Sequence, residues 1–182
     1  ETAPLKAHKN MYLDENGDVI PYRSLLGYQA SGVPGTVMGM WQAHQRFGQL
    51  PWRKLLEPAI HLAENGFKVH PKLAETAQWY QAWSAEKEHN LNFAAYFGGL
   101  QTDQTFKQPE LAETLKRIAE DGAQEFYQGK TAELLVQQMQ QADGLISHED
   151  LAAYQVKWRK PITATWQGFE VLSAPPPSSG GI

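Results

Sequence analysis

Apolar residues recur along this chain in two different rhythms. From residue 36 to residue 156 they fall three or four positions apart, as on one face of a helix. Val37, Met40, Trp41, His44 and Phe47 take such positions in TVMGMWQAHQRFG. Leu55, Leu56, Ala59, Leu62 and Ala63 repeat the pattern in LPWRKLLEPAIHLAENGF. Pro58 interrupts that second run. It lacks an N–H and crowds the preceding turn, so the expectation is a short turn followed by a helix starting near Pro58, with Gly66 as its stop. Pro71 and Pro109 each open a further helical pattern, the latter with Leu111, Leu115, Ile118 and Ala119 on one face and Gly122 after it. TAELLVQQMQQADG predicts a fifth helix, ending before Gly144, and SHEDLAAY a short sixth. Ser147 with Asp150 three residues later approaches a capping box at the start of the sixth.

After residue 156 the period shortens to two. Trp158, Ile162, Ala164 and Trp166 alternate with polar residues, Gln167-Gly168 can turn the chain, and FEVLS returns. Residues 1 to 35 show neither rhythm, only an Asn16-Gly17 turn and the punctuation SGVPGT. The pattern predicts a mainly α-helical segment with a short C-terminal β-hairpin. It divides residues 1–182, read as a single partial domain, into an irregular opening (1–35), a helical middle (36–156) and a hairpin with a Pro/Ser/Gly strand exit (157–182). Two strands alone are marginal in water, so the hairpin needs a helix face or a larger sheet.

Composition narrows the chemistry. Hydrophobic residues are 42% of the chain and charged residues 20%, enough apolar material for a core. The net charge of −4 and the lack of a basic run interleaved with aromatics argue against nucleic-acid binding. There is no cysteine, which excludes disulfides, thiolate metal sites and a cysteine nucleophile. No run of 18 apolar residues offers a membrane segment, and ETAPLKAHKN has no apolar signal core.

Several stretches imitate functional motifs and fail on spacing. DENGD (Asp14 to Asp18) resembles the start of a calcium loop, but positions six and twelve hold Val19 and Leu25 instead of Gly and Glu. Gly129-Lys130-Thr131 resembles a phosphate loop, but the required earlier glycine is Gln124, so a helix N-terminus is the better reading. His148-Glu149 has no second histidine four residues on, and His44 and His61 read as packing or boundary residues. Trp79, Tyr80 and Trp83 read as core or interface packing. No metal site and no cofactor is implied.

SAPPPSSGGI, Ser173 to Ile182, admits two readings. Ser178 or Ser179 could bond a substrate, with Gly180 and Gly181 presenting amides. Alternatively the prolines stiffen a strand exit and the serines cap a coming helix. A serine nucleophile needs a base, and no histidine is near in sequence.

SGVPGTVMGMWQAHQRFGQLPWRKLLEPAIHLAENGFKVH resembles the large-subunit segment of the gamma-glutamyl transpeptidases. ETAP (Glu1 to Pro4), GLISHEDLAAYQ (Gly144 to Gln155) and PPPSSGGI (Pro175 to Ile182) agree in the same order. The resemblance covers nearly the whole chain and identifies it as an interior segment of that subunit. It implies a parent enzyme with the four-layer αββα sandwich of the N-terminal nucleophile hydrolases. The parent is a precursor that cuts itself, freeing a threonine that attacks the γ-glutamyl amide of glutathione or a related compound. The γ-glutamyl group then passes to water, an amino acid or a peptide.

Carried over residue by residue, the same resemblance places that threonine beyond Ile182, and the oxyanion glycines with a second serine pair in the small subunit. The arginine that grips the substrate α-carboxylate is placed directly before Glu1. Thus no residue here matches a principal catalytic residue, and the segment alone is expected to be inactive. Glu1, Ser178, Ser179, Gly180 and Gly181 remain candidates for residues near the parent's active site. The implied partners are the small subunit, the remainder of the large subunit and a small γ-glutamyl substrate, in a periplasmic or secreted setting that this stretch does not itself encode. The alternatives are a related amidohydrolase such as a cephalosporin acylase, and a stand-alone helical binding module.

Overall fold

The computed structural model describes residues 2–85 and 92–179. The opening residues make successive turns and one 3-10 turn at Tyr28–Ala30. Within them, Leu13 and Val19 form a bridge around the Asn16-Gly17 turn. Helices α1 (Thr36–Phe47) and α2 (Trp52–Asn65) follow, then strand β1 (Phe67–Lys68) and helix α3 (Pro71–Ala85). Helix α4 (Phe93–Phe97) and strand β2 (Thr105–Phe106) lead to α5 (Pro109–Asp121), α6 (Ala123–Gln128), α7 (Lys130–Gln141) and α8 (His148–Ala152). Strands β3 (Ile162–Trp166) and β4 (Phe169–Ser173) close the described chain. The fold class is therefore as the two rhythms predict.

One expectation is corrected. Helix α2 runs through Pro58 without a break. The proline costs the hydrogen bond to the carbonyl of Lys54, one turn earlier. Both residues are exposed, so water can satisfy that carbonyl. The helix is held instead along α5. Ala63 of α2 and Ala112, Ile118 and Ala119 of α5 are buried, and the Trp52 indole N–H donates to the Ile118 carbonyl at 2.9 Å. Gly66 ends α2 as expected, its N–H bonded to the Leu62 carbonyl.

The short elements β1, β2, α4 and α6 carry too few residues for a period to register. β1 pairs antiparallel with β2, Phe67 opposite Phe106. This clip belongs to a small core of Val69, Ala74, Ala77, Leu100 and Phe106. α6 sits between two glycines. Gly122 adopts φ +66°, and a Cβ there would meet the Trp41 ring, so this junction requires glycine both for its backbone and for its room.

The larger core joins α6, α7 and α8 through Val33, Ala123, Tyr127, Ala132, Val136, Met139, Ile146 and Leu151, with Val37, Met38 and Trp41 of α1 packed against it. Helix α1 has no side-chain cap of its own. The buried Tyr127 hydroxyl substitutes for one, accepting from the Met38 N–H at 3.2 Å while donating to the Pro34 carbonyl at 2.7 Å. Burial pushes the Tyr127 phenol up from its usual value, so it stays a donor at neutral pH.

The predicted apolar faces of α1 and α2 are only partly used. Met40, Phe47, Leu55 and Leu62 remain exposed. Together with Ala43, Leu56 and Leu115, the first three line an apolar groove of about 610 Å³ between α1, α2 and α5. Of the tryptophan–tyrosine set on α3, only Trp79 stands fully at the surface. Trp79 and Trp83 stack at 6.1 Å with Trp79 exposed, while the half-buried Tyr80 and Trp83 reach Phe93 at 4.6 Å and Tyr22 at 6.1 Å, so the set packs at the edge of the small core.

The hairpin is local in its construction. Trp166 pairs with Phe169 across Gln167 and Gly168, both at positive φ, the geometry of a two-residue turn matched to strand twist. Every residue from Ile162 to Leu172 is exposed, so neither face of β3–β4 is packed against the helices.

Candidate functional site

The opening residues are pinned to the helical body at two points. The Thr2 carbonyl accepts from the Val33 N–H at 2.9 Å, and the Leu5 N–H donates to Asp150 Oδ1 at 2.6 Å. Pro4, between them, is buried. Asp150 is itself buried at the first turn of α8. Its other oxygen, Oδ2, accepts from the Ser147 N–H at 2.8 Å and from the Ser147 hydroxyl at 2.6 Å, while Ser147 Oγ accepts from the Asp150 N–H. The capping box read from the sequence is present, and its acid does a second job that sequence spacing does not reveal.

Burial alone would raise the Asp150 carboxyl. The hydrogen bonds from Ser147 and Leu5, with a contribution from the Lys6 charge, outweigh it and hold the group below its ordinary value. A lowered folded-state value means that the carboxylate stabilises the fold fully above the unfolded value, ~3.9, and loses that contribution as pH falls through the lower folded value. Acid titration should therefore bring the stability curves of wild type and Asp150→Ala together below about pH 4. A constant gap from neutral pH into strong acid would contradict this assignment.

At the other end, the chain leaves β4 and turns at Pro176-Pro177, with the Ser178 N–H reaching the Pro175 carbonyl at 3.2 Å. Pro177 then lines a cleft of about 360 Å³ with Thr2, Gly35, Tyr154, Lys157 and Arg159. The structure thus brings the two stretches singled out in the sequence to one place. Gly35 must lack a Cβ because the Tyr154 hydroxyl occupies that position, and Tyr154 in turn stacks on Tyr127 at 5.7 Å.

Of the candidate site residues, Ser178 and Ser179 are exposed beside this turn. Glu1, Gly180 and Gly181 lie outside the described residues. Sequence reasoning missed Asp150 as a clamp and the pair Lys157 and Arg159 as the cleft's charge. The capping pattern pointed at Asp150, but its partner Leu5 is 145 residues away.

The cleft's described lining contains neither a histidine nor a carboxylate. Its charged side chains are Lys157 and Arg159, which suit it to hold an anion. The imitated motifs are accounted for by local structure. Asp14 Oδ1 accepts from the Asn16 and Asp18 N–H groups, which makes DENGD a self-bonded turn. Gly129 precedes α7, whose Thr131 N–H is taken by Glu125 Oε1 at 3.0 Å, so a side chain already occupies that helix end. His44 packs between Trp41 and Trp52 with Nε2 at 2.8 Å from the Leu50 carbonyl oxygen, and His61 contacts Asn65. Among the described residues, no group of three or more His, Asp or Glu is arranged to hold a metal ion, and no helix is long and apolar enough to cross a membrane.

Comparison with known proteins places this geometry. The family described as Gamma-glutamyltranspeptidase matches residues 1–182. A glutathione hydrolase proenzyme of Pseudomonas aeruginosa is 54% identical over 182 residues, which is 100% of this chain and 32% of the relative. One from Escherichia coli is 42% identical over 184 residues, again 100% of this chain and 32% of the relative. The solved gamma-glutamyltranspeptidase of Pseudomonas nitroreducens, complexed with L-DON, superposes with a TM-score of 0.93 at 52% identity, covering 100% of this chain and 53% of that one. The chain spans about a third of the length of the curated relatives it matches.

Proposed function

Because the chain belongs to the gamma-glutamyltranspeptidase family, we propose that it is the scaffold segment of an enzyme that cleaves the γ-glutamyl amide of glutathione and related compounds. The enzyme passes the γ-glutamyl group to water or to an amino acid or peptide. The observation that carries this reading is the family match along the entire chain. The cleft lining, without a histidine or a carboxylate, supports assigning the nucleophile to another part of the polypeptide.

In this reading residues 1–182 form one partial domain, and the remainder of the same precursor is its partner. That remainder covers the apolar groove of α1, α2 and α5 and extends the hairpin into a larger sheet. Two features support it: the exposed apolar side chains Met40, Phe47, Trp166, Phe169 and Leu172, and two strands with no packed face. Glu1, Ser178, Ser179, Gly180 and Gly181 then border the active site without performing its chemistry. Lys157 and Arg159 are suited to an anionic substrate group approaching the cleft. A periplasmic or secreted location fits the same reading.

The acylase alternative and the stand-alone binding module are less favoured, since the relatives at 54% and 42% identity are glutathione hydrolases. The full-length protein should release the amine from a γ-glutamyl anilide, faster when a dipeptide acceptor is added, and should turn over an acyl cephalosporin poorly. The opposite preference would replace the γ-glutamyl reading with the acylase one.

A further inference from the structure

We propose that the cleft between α1 and residues 154–159 is a binding site for a short dicarboxylate. The site goes beyond the γ-glutamyl reading and is independent of it.

The cleft's charge is uncompensated. Lys157 and Arg159 both line it, and among the described residues neither makes an ion pair. Lys54, Lys72, Lys116, Arg117 and Lys130, by contrast, each meet a glutamate. The chain as a whole carries a net charge of −4, so this positive charge is a local feature. Arg46 adds to it from α1. Its guanidinium carbon lies 4.8 Å from the centre of the Trp158 ring and 5.0 Å from that of Phe47. Trp158 also lines the cleft, and this stacking braces it as an apolar wall beside the two cations.

The floor is open. Gly39 lies inside α1 and lines the cleft, and a Cβ there would meet no atom within 4 Å. Glycine weakens a helix interior relative to alanine, and no described neighbour requires it at this position. Its effect is to leave room. The cleft's volume of about 360 Å³ is that of roughly a dozen waters at about 30 Å³ each, which suits an organic anion of about ten non-hydrogen atoms. The Arg159 fork matches one carboxylate with two parallel hydrogen bonds, and the Lys157 ammonium meets a second as a point charge. The two Cα atoms, two residues apart, are separated by at most about 7 Å, within the reach of a few methylene groups. Val156, Trp158 and Pro177 offer that chain an apolar surface, which an inorganic oxyanion would leave bare.

Isothermal titration of the full-length protein with glutarate at low ionic strength tests the site. Glutarate should bind one to one. Butyrate, with a single carboxylate, and inorganic phosphate should each bind at least about tenfold more weakly. Lys157→Gln and Arg159→Gln should each weaken glutarate about tenfold, and added salt should weaken it in the wild type. Gly39→Leu keeps every charge and fills the floor with a good helix former, so it should abolish binding while α1 stays helical. Wild-type protein without saturable glutarate binding would overturn the inference. So would a glutarate affinity unchanged in Lys157→Gln, in Arg159→Gln or in folded Gly39→Leu, or butyrate or phosphate bound as tightly as glutarate. Failure of the γ-glutamyl reading would show instead as absent anilide turnover, and it leaves these titrations untouched.

Discussion

Replacing Arg117 by alanine should lower the unfolding free energy by about 3 kcal/mol, a large share of a small domain's stability. Glu125 lies at the heart of the α5–α6–α7 junction with its side chain 3% exposed. Its Oε1 accepts from Arg117 Nε at 2.7 Å and from the Thr131 N–H at 3.0 Å. Oε2 is buried with no protein partner among the described residues. The guanidinium also reaches the hydroxyls of Thr114 and Thr131 through Nη2. Removing it leaves a buried carboxylate supported by one amide, and the desolvation penalty of that charge is no longer offset. The double replacement Arg117→Met with Glu125→Leu should recover much of the loss, because the buried charge goes with its partner. It should not recover all of it, since Thr131 N–H then lacks its acceptor. Urea denaturation of the two variants beside wild type checks both statements. A single variant as stable as wild type would show that the pair contributes nothing.

Leu151→Ala should cost a similar amount, about 3 kcal/mol. Leu151 is fully buried between Val33, Tyr127, Val136 and Ile146 in the larger core, and truncation removes methyl groups from a close-packed site. The effect should extend beyond stability. Leu151 is the residue after Asp150 and is the main apolar anchor of the short helix α8, so loosening it also loosens the Leu5 clamp. Native-state hydrogen exchange should register this as faster exchange at the Leu5 amide than at buried amides of α5. Unchanged protection of Leu5 in the variant would separate the clamp from the core.

Legibility in the sequence followed the range of the forces involved. Features fixed by neighbours a few residues apart were readable. The Ser147–Asp150 cap, the proline starts at Pro71 and Pro109, and the Gln167-Gly168 turn each depend on local backbone chemistry. The hairpin's need for a helix face or a larger sheet was readable because two strands alone are marginal, but that no helix covers it here was not. Pro58 misled because the local rule assumes that the orphaned carbonyl cannot be satisfied. On the solvent side of a helix packed against α5, water can satisfy it. The clip of β1 and β2 was invisible because two-residue strands have no period.

The site was the least legible part. Its clamp joins Leu5 to Asp150, and its cleft joins Thr2 to Pro177, pairs that no spacing rule connects. Resemblance to a family pointed to the ends of the chain, and tertiary contacts supplied the reason they meet.

The central claim is that residues 1–182 position the ends bordering an active site while the nucleophile resides elsewhere in the polypeptide. The most direct measurement is γ-glutamyl release from one donor by the 182-residue chain and by the full-length protein at equal molar concentration. The account predicts steady release by the full-length protein and none above buffer by the 182-residue chain. Release by the 182-residue chain that scales with its concentration would contradict it.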